Sequence, residues 1–124
     1  MKVVVSSTGP DLSSATDPRF GRCSYFVLVD SDSMETKSYP NESQTAMGGA
    51  GIQAGQFVSS LGAEAVITGN VGPNAARVLG ASGMKIYTGA AGTAEKAVND
   101  FKAGKLKEVS SATVGPPFGM GGGR

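Results

Sequence analysis

The chain has 124 residues, 40% of them hydrophobic, and a formal net charge of +1, a size at which one domain buries most of its apolar surface. So balanced a charge supplies no field to draw the protein to nucleic acid or a membrane surface. One cysteine, Cys23, excludes an internal disulfide, and the absence of histidine removes the usual zinc ligand and general base, so an ordinary acid–base enzyme is not expected.

The first ten residues, MKVVVSSTGP, carry a shorter apolar run than the ~7–15 residues of a secretory signal core, which predicts a cytoplasmic protein. Residues 2–6 (KVVVS) fit a strand buried on both faces, ended by Thr8, Gly9 and Pro10. After a long loop, residues 24–29 (SYFVLV) and 35–39 (ETKSY) predict a hairpin around the polar turn 30–33, with the more polar second strand at the sheet edge. The glycine-dense run GGAGIQAG at 48–55 then opens a helix over about 52–61, where Ala54, Phe57, Val58 and Leu61 repeat at helical spacing and Gly62 stops it. Residues 65–68 (AVIT) read as a short buried strand. The turn 69–73 starts a second helix with Pro73 in its first turn and Ala76, Val78 and Leu79 on its apolar side, ended by Gly83. Residues 85–87 form the last predicted strand, and Thr93 caps a third helix with Ala94, Ala97, Val98 and Phe101 inward and Gly104 at its close. Residues 1–110 thus make one α/β domain, and residues 111–124, ending GPPFGMGGGR, are expected to form a flexible tail.

The order βββαβαβα makes the helix-linked strands parallel, so the loops 8–23, 40–51, 68–73 and 88–93 leave one end of the sheet. Ligands of open α/β sheets bind outside the carboxyl ends of the strands. Helix starts there present bare N–H groups and roughly half a positive elementary charge, which invites an anion.

Several residues in these loops have chemistry to offer. Gly49, Gly51 and Ala54 fit the GxGxxA dinucleotide fingerprint, but where an acid should meet the ribose, about twenty residues on, the chain has Gly69 and Asn70. No GxxxxGK[ST] phosphate loop is present. Cys23, behind Arg19 and Arg22, is either a thiolate able to bind a metal cluster or a small hydrophobe starting a strand. The two arginines either clamp an anion or remain solvated loop charges, and Met47 offers a thioether to a soft metal or simply packs. Asp11, Asp17 and Glu42 share these loops. The element order points to a ribonuclease H-like architecture, whose hydrolytic members need carboxylates on the first and fourth strands. Val5, Ser6, Ile67 and Thr68 stand there instead, against nuclease chemistry.

Three stretches, DPRFGRC, GGAGIQAGQFVSSLGAEAVITGNVGPNAARVL and KIYTGAAGTAEKAVNDFKAGKL, resemble the dinitrogenase iron-molybdenum cofactor biosynthesis family, whose small stand-alone members are similar to NifX and to the NifB C-terminal region. The resemblance spans nearly everything before the tail. It implies a ribonuclease H-like three-layer α/β/α fold with three helices and a five-stranded mixed sheet, order 3-2-1-4-5, strand two antiparallel. It also implies a non-catalytic role in holding or carrying an iron-molybdenum or related iron–sulfur cluster, with cofactor-assembly proteins as possible partners. Some relatives use a histidine ligand. Lacking one, this chain would rely on Cys23 as the metal ligand, the arginines and backbone donors. The expected cofactor-binding set is Arg19, Phe20, Gly21, Arg22, Cys23, Met47, Gly48, Gly49, Gly51, Gly69, Asn70, Gly72, Gly89, Gly92 and Thr93. Two other readings use the same features: a protein or enzyme binding a phosphate-bearing, nucleotide-like small molecule at the helix starts, and an interaction module docking through the tail around Met120.

Overall fold

A computed structural model describes residues 1–45 and 48–113. The elements are β1 (Lys2–Ser7), β2 (Tyr25–Asp30), β3 (Thr36–Pro40), α1 (Ala50–Ser59), β4 (Ala65–Ile67), α2 (Pro73–Ala81), β5 (Lys85–Thr88), α3 (Ala94–Lys102) and β6 (Lys107–Val109). They form one mixed sheet in the order β3-β2-β1-β4-β5-β6. As expected, β2 runs antiparallel to β1, while β1, β4 and β5 are mutually parallel neighbours. The sheet has six strands, however, where five were expected. The sixth pairs antiparallel with β5 through Ile86 and Val109, Tyr87 and Glu108, and Thr88 and Lys107. Its sequence, KEV, has two exposed charged residues and one half-buried valine, so no apolar run announces it; its partner strand selects its conformation.

The valines of β1 explain why the layers form. Successive side chains of a strand point to opposite faces. Val4 accordingly joins Phe26, Val66 and Ile86 against α1 and α2, while Val3 and Val5 join Val27, Ala65 and Ile67 against α3. Both faces are covered, as the parallel centre of the sheet requires. Helices α1 and α2 approach closely through small residues: a Cβ at Gly55 would lie 3.0 Å from Val78 Cγ1.

At the start of α3, Thr93 Oγ1 accepts the Lys96 backbone N–H at 3.1 Å, with Glu95 in the first turn and Lys102 in the last complementing the dipole. Thr93→Ala is expected to cost about 1 kcal/mol in urea unfolding with an unchanged denaturant slope.

Beyond β6 the chain returns to the 68–73 loop. Thr113 N–H donates to Val71 O at 2.8 Å, and Thr113 Oγ1 accepts the Val71 N–H at 2.8 Å. Residues 114–124, and with them most of the expected tail, lie outside the described residues, as does Met47. Among the described residues, no helix is long and apolar enough to cross a membrane.

Candidate functional site

The loop 8–23 organises this end of the sheet, and its first half closes the start of α3. Ala94 N–H donates to Ser14 O at 2.8 Å and Glu95 N–H to Leu12 O at 2.9 Å, while Thr16 N–H and Oγ1 both reach Gly92 O. With Lys96 N–H on Thr93, the first-turn donors of α3 are satisfied by the chain itself. Gly89 donates to Gly69 O at 3.2 Å, and Gly89 and Gly92 have positive φ values of 91° and 76°. These two glycines shape the turn into α3. The structure therefore does not bring Gly89, Gly92 or Thr93 to a bare helix start.

The other two helices differ. Neither α1, entered through Gly49 with φ 73°, nor α2, entered through Gly72 in an extended conformation with Pro73 following, has a side-chain cap. Among the described residues, the N–H groups of Ala50, Gly51 and Ile52 on α1, and of Asn74 and Ala75 on α2, meet no acceptor. A Cβ at Gly51 would lie 3.4 Å from Ala75 N, so the two starts stand side by side. Two adjacent positive helix ends with open donors form a concentrated anion-attracting surface. Gly48 and Gly49 are exposed beside it, with open space where a side chain would be.

The second half of the 8–23 loop laces this surface together. Asn70 N–H donates to Pro18 O at 2.8 Å, and Arg19 and Asn70 form a parallel bridge. A Cβ at Gly69 would lie 2.6 Å from Pro18 Cα, and one at Gly21 would lie 3.3 Å from Gly51 N. Residues 18–21 thus run from the loop entering α2 to the first turn of α1, with no room for a side chain at Gly69 and only a tight fit for one at Gly21. Phe20 points inward, 2% exposed, its ring centroid 5.3 Å from that of Phe26; it anchors the loop in the core.

The charged residues are held in place. Asp17 accepts Arg19 Nε and Nη2, each at 3.2 Å, and the Arg19 backbone N–H at 2.9 Å. The Arg19 side chain is nevertheless 65% exposed. Arg22 Nη1 donates to Gln44 O at 3.0 Å, tying the 8–23 loop to the loop after β3. Among the described residues, no group of three or more His, Cys, Asp or Glu side chains could hold a metal ion; Asp11, Asp17 and Glu42 do not assemble one.

Cys23 is fully buried, packed with Phe20 and Phe26 against α1, and its thiol donates to Tyr25 O at 3.3 Å. Burial pushes its pKa up to about 12, outweighing the hydrogen bonds that favour the thiolate. The thiol is thus neutral at physiological pH, and this geometry supports the packing reading rather than the thiolate one. Its alkylation by iodoacetamide at pH 8 should run about a thousandfold slower than that of an unhindered thiol, and become fast on unfolding in urea. Because the folded pKa is raised, the stability linked to Cys23 is complete below the ordinary thiol range and falls as pH rises toward about 12.

Asn41 belongs to the site's framework although nothing singled it out. Its Nδ2 donates to Gly21 O at 3.0 Å and Cys23 O at 2.8 Å, while its Oδ1 accepts Ser43 N–H and Oγ. The available signal was Asn41 two residues before Ser43 and just after Pro40, the pattern of an Asx turn.

The profile of the family described as dinitrogenase iron-molybdenum cofactor matches residues 1–104. The apo form of the orange protein from Desulfovibrio gigas superimposes with a TM-score of 0.87 at 36% identity, covering 91% of this chain and 96% of that one. A Thermotoga protein proposed to be a NifB protein, known from an NMR structure, superimposes with a TM-score of 0.79 at 36% identity, covering 91% and 97%. An uncharacterized protein of Methanocaldococcus jannaschii is 29% identical over 94 residues, 73% of this chain and 80% of the relative.

Proposed function

The chain belongs to the dinitrogenase iron-molybdenum cofactor family, and from that membership we propose that it binds and carries an anionic metallocluster of the iron-molybdenum or iron–sulfur type during cofactor assembly or storage. The observation that carries this reading is the pair of uncapped helix starts, α1 at Gly49 and α2 at Gly72, standing side by side, their first N–H groups meeting no acceptor among the described residues. Backbone donors fixed in this way grip sulfide or carboxylate edges and cost little reorganisation. Arg19, exposed at the same end of the sheet, adds cationic hydrogen-bond donors. Cys23 takes no part in the grip and serves the core. Such a site holds its cargo through many weak contacts, which suits release to a cofactor-assembly partner in the cytoplasm, and the protein performs no chemistry on the cluster.

The same donors would also accept a phosphate-bearing small molecule, and the glycine spacing at Gly49 and Gly51 favours that as the second reading. Two features weigh against it: Gly69 and Asn70 occupy the position of the ribose acid, and Gly69 is closed against Pro18. An anaerobic thermal-shift panel separates the readings. A ligand at 100 times its dissociation constant stabilises the fold by about 2.7 kcal/mol. Isolated iron-molybdenum cofactor is expected to raise the melting temperature, and nucleotides and sugar phosphates to leave it unchanged. The reverse pattern would replace the cluster with a phosphate ligand.

A further inference from the structure

The Asp17–Arg19 pair is more constrained than a loop ion pair needs to be. Asp17 N–H donates to Ser6 O at 3.0 Å, and Asp17 O accepts Ser6 Oγ at 2.7 Å, so the residue is clamped to the end of β1 from both sides. Ser6 Oγ lies 2.7 Å from Thr68 Oγ1, which carries the clamp across to the end of β4. The Asp17 side chain is only 4% exposed, and its carboxylate takes the backbone N–H and two side-chain donors of Arg19. A buried carboxylate with a bidentate partner fixes geometry as well as charge. Among the described residues the guanidinium is held along its Nε–Nη2 edge, and it remains mostly exposed, within the 18–21 stretch that joins Asn70 to Gly51.

We propose that Asp17 is a positioning residue for cluster binding, holding the Arg19 guanidinium in one orientation beside the α1 and α2 starts so that its exposed edge meets the anionic cargo already ordered. The proposal rests on the cluster reading for its cargo. An unrestrained arginine loses rotamer freedom when it grips an anion, and Asp17 removes that loss in advance. Simple charge screening makes the opposite prediction. Removing a buried carboxylate raises the net charge from +1 to +2 and would then tighten anion binding.

The test is a double-mutant cycle, titrating isolated iron-molybdenum cofactor anaerobically into the full chain. Arg19→Gln is expected to weaken binding about tenfold, the loss of one charge-assisted contact. Asp17→Asn should weaken it several-fold despite the added positive charge, and the double variant should bind no more weakly than Arg19→Gln. Arg19→Lys, which keeps the charge and a partner for Asp17, serves if Asp17→Asn fails to fold, and should bind more weakly than the wild type, between it and Arg19→Gln, because it keeps the charge but lacks the planar fork. Binding by Asp17→Asn at or above the wild-type affinity, wild-type affinity in Arg19→Lys, or losses that multiply in the double variant would each overturn the proposal. A second readout needs no cargo. The Arg19 Nε–H proton of the ligand-free protein should exchange slowly with solvent, and at least tenfold faster in Asp17→Asn. Fast exchange in the wild type refutes the positioning role outright. A protected Nε–H in a protein that takes up no cofactor would count against the cluster as cargo and not against the orienting of Arg19.

Discussion

Gly72→Asp is expected to make the protein slightly more stable and to cripple cluster binding. Gly72 enters α2 with φ −83° and ψ 172°, the extended conformation of a helix cap, and contributes no side chain to the open donors behind it. An aspartate there would turn its carboxylate onto the Asn74 and Ala75 N–H groups. Capping over glycine and the charge–dipole attraction together should add about 0.5–1 kcal/mol, read as a higher urea midpoint. The same carboxylate would occupy two of the donors offered to the cargo and set a negative charge against it. Two unit charges ~4 Å apart repel by up to ~4 kcal/mol at an effective dielectric of ~20, so a loss of affinity of at least tenfold is expected. Gly72→Asn, which caps without the charge, should lose less. Because the stability and affinity changes have opposite signs, misfolding cannot account for the lost binding. Unchanged affinity in a stabilised Gly72→Asp would remove α2 from the site.

Gly69→Ala should be the most damaging of the small substitutions. The added Cβ would lie 2.6 Å from Pro18 Cα and 2.9 Å from Pro18 Cβ, and neither neighbour can give way cheaply. Pro18 has a fixed φ, its carbonyl receives the Asn70 N–H, and the next residue back is the buried, clamped Asp17. Overpacking of this kind costs about 2–3 kcal/mol. It would also part the 17–21 stretch from the loop entering α2, so affinity should fall along with stability. Gly48→Ala is the matched control: nothing lies within 4 Å of its Cβ position. Its urea midpoint should stay within about 0.5 kcal/mol of the wild type. A tolerated Gly69→Ala would mean that the crossing at Pro18 is looser than described.

Local patterns revealed the centre of the fold and less of its edges. The triple valine of β1 and the helical spacing of Ala54 and Val58 are strong periodic signals, and both emerge as core. The hairpin and the parallel β1, β4 and β5 follow from them once connection geometry is applied. The strand at 107–109 was hidden because two of its three residues are charged and its shape comes from pairing with β5. The site was half legible for a related reason. Glycine density identified all three helix starts, but whether a start is open depends on distant chain. Leu12 and Ser14 close α3 by backbone carbonyls, which any residue type could supply, so no pattern in the sequence marks them. The Cys23 sulfur is set partly by distant chain: its thiol meets Tyr25 O two residues on, but the Asn41 amide that reaches the sulfur and the burial that raises its pKa come from elsewhere in the fold. Arg19 and Gly21 could be placed near the site from their motif. The buried carboxylate that holds Arg19 became visible only with its partners around it.

The central claim is that two adjacent open helix starts hold an anionic cluster, and metal content after gel filtration tests it most directly. Ligand-free protein is mixed anaerobically with isolated iron-molybdenum cofactor, separated on a sizing column, and assayed for molybdenum and iron per chain. Cofactor is expected to elute with the wild type and Cys23→Ala alike, and to separate from Gly72→Asp. Metal that fails to travel with the wild-type protein would contradict the account, and metal lost only from Cys23→Ala would transfer the site from the helix starts to the thiol.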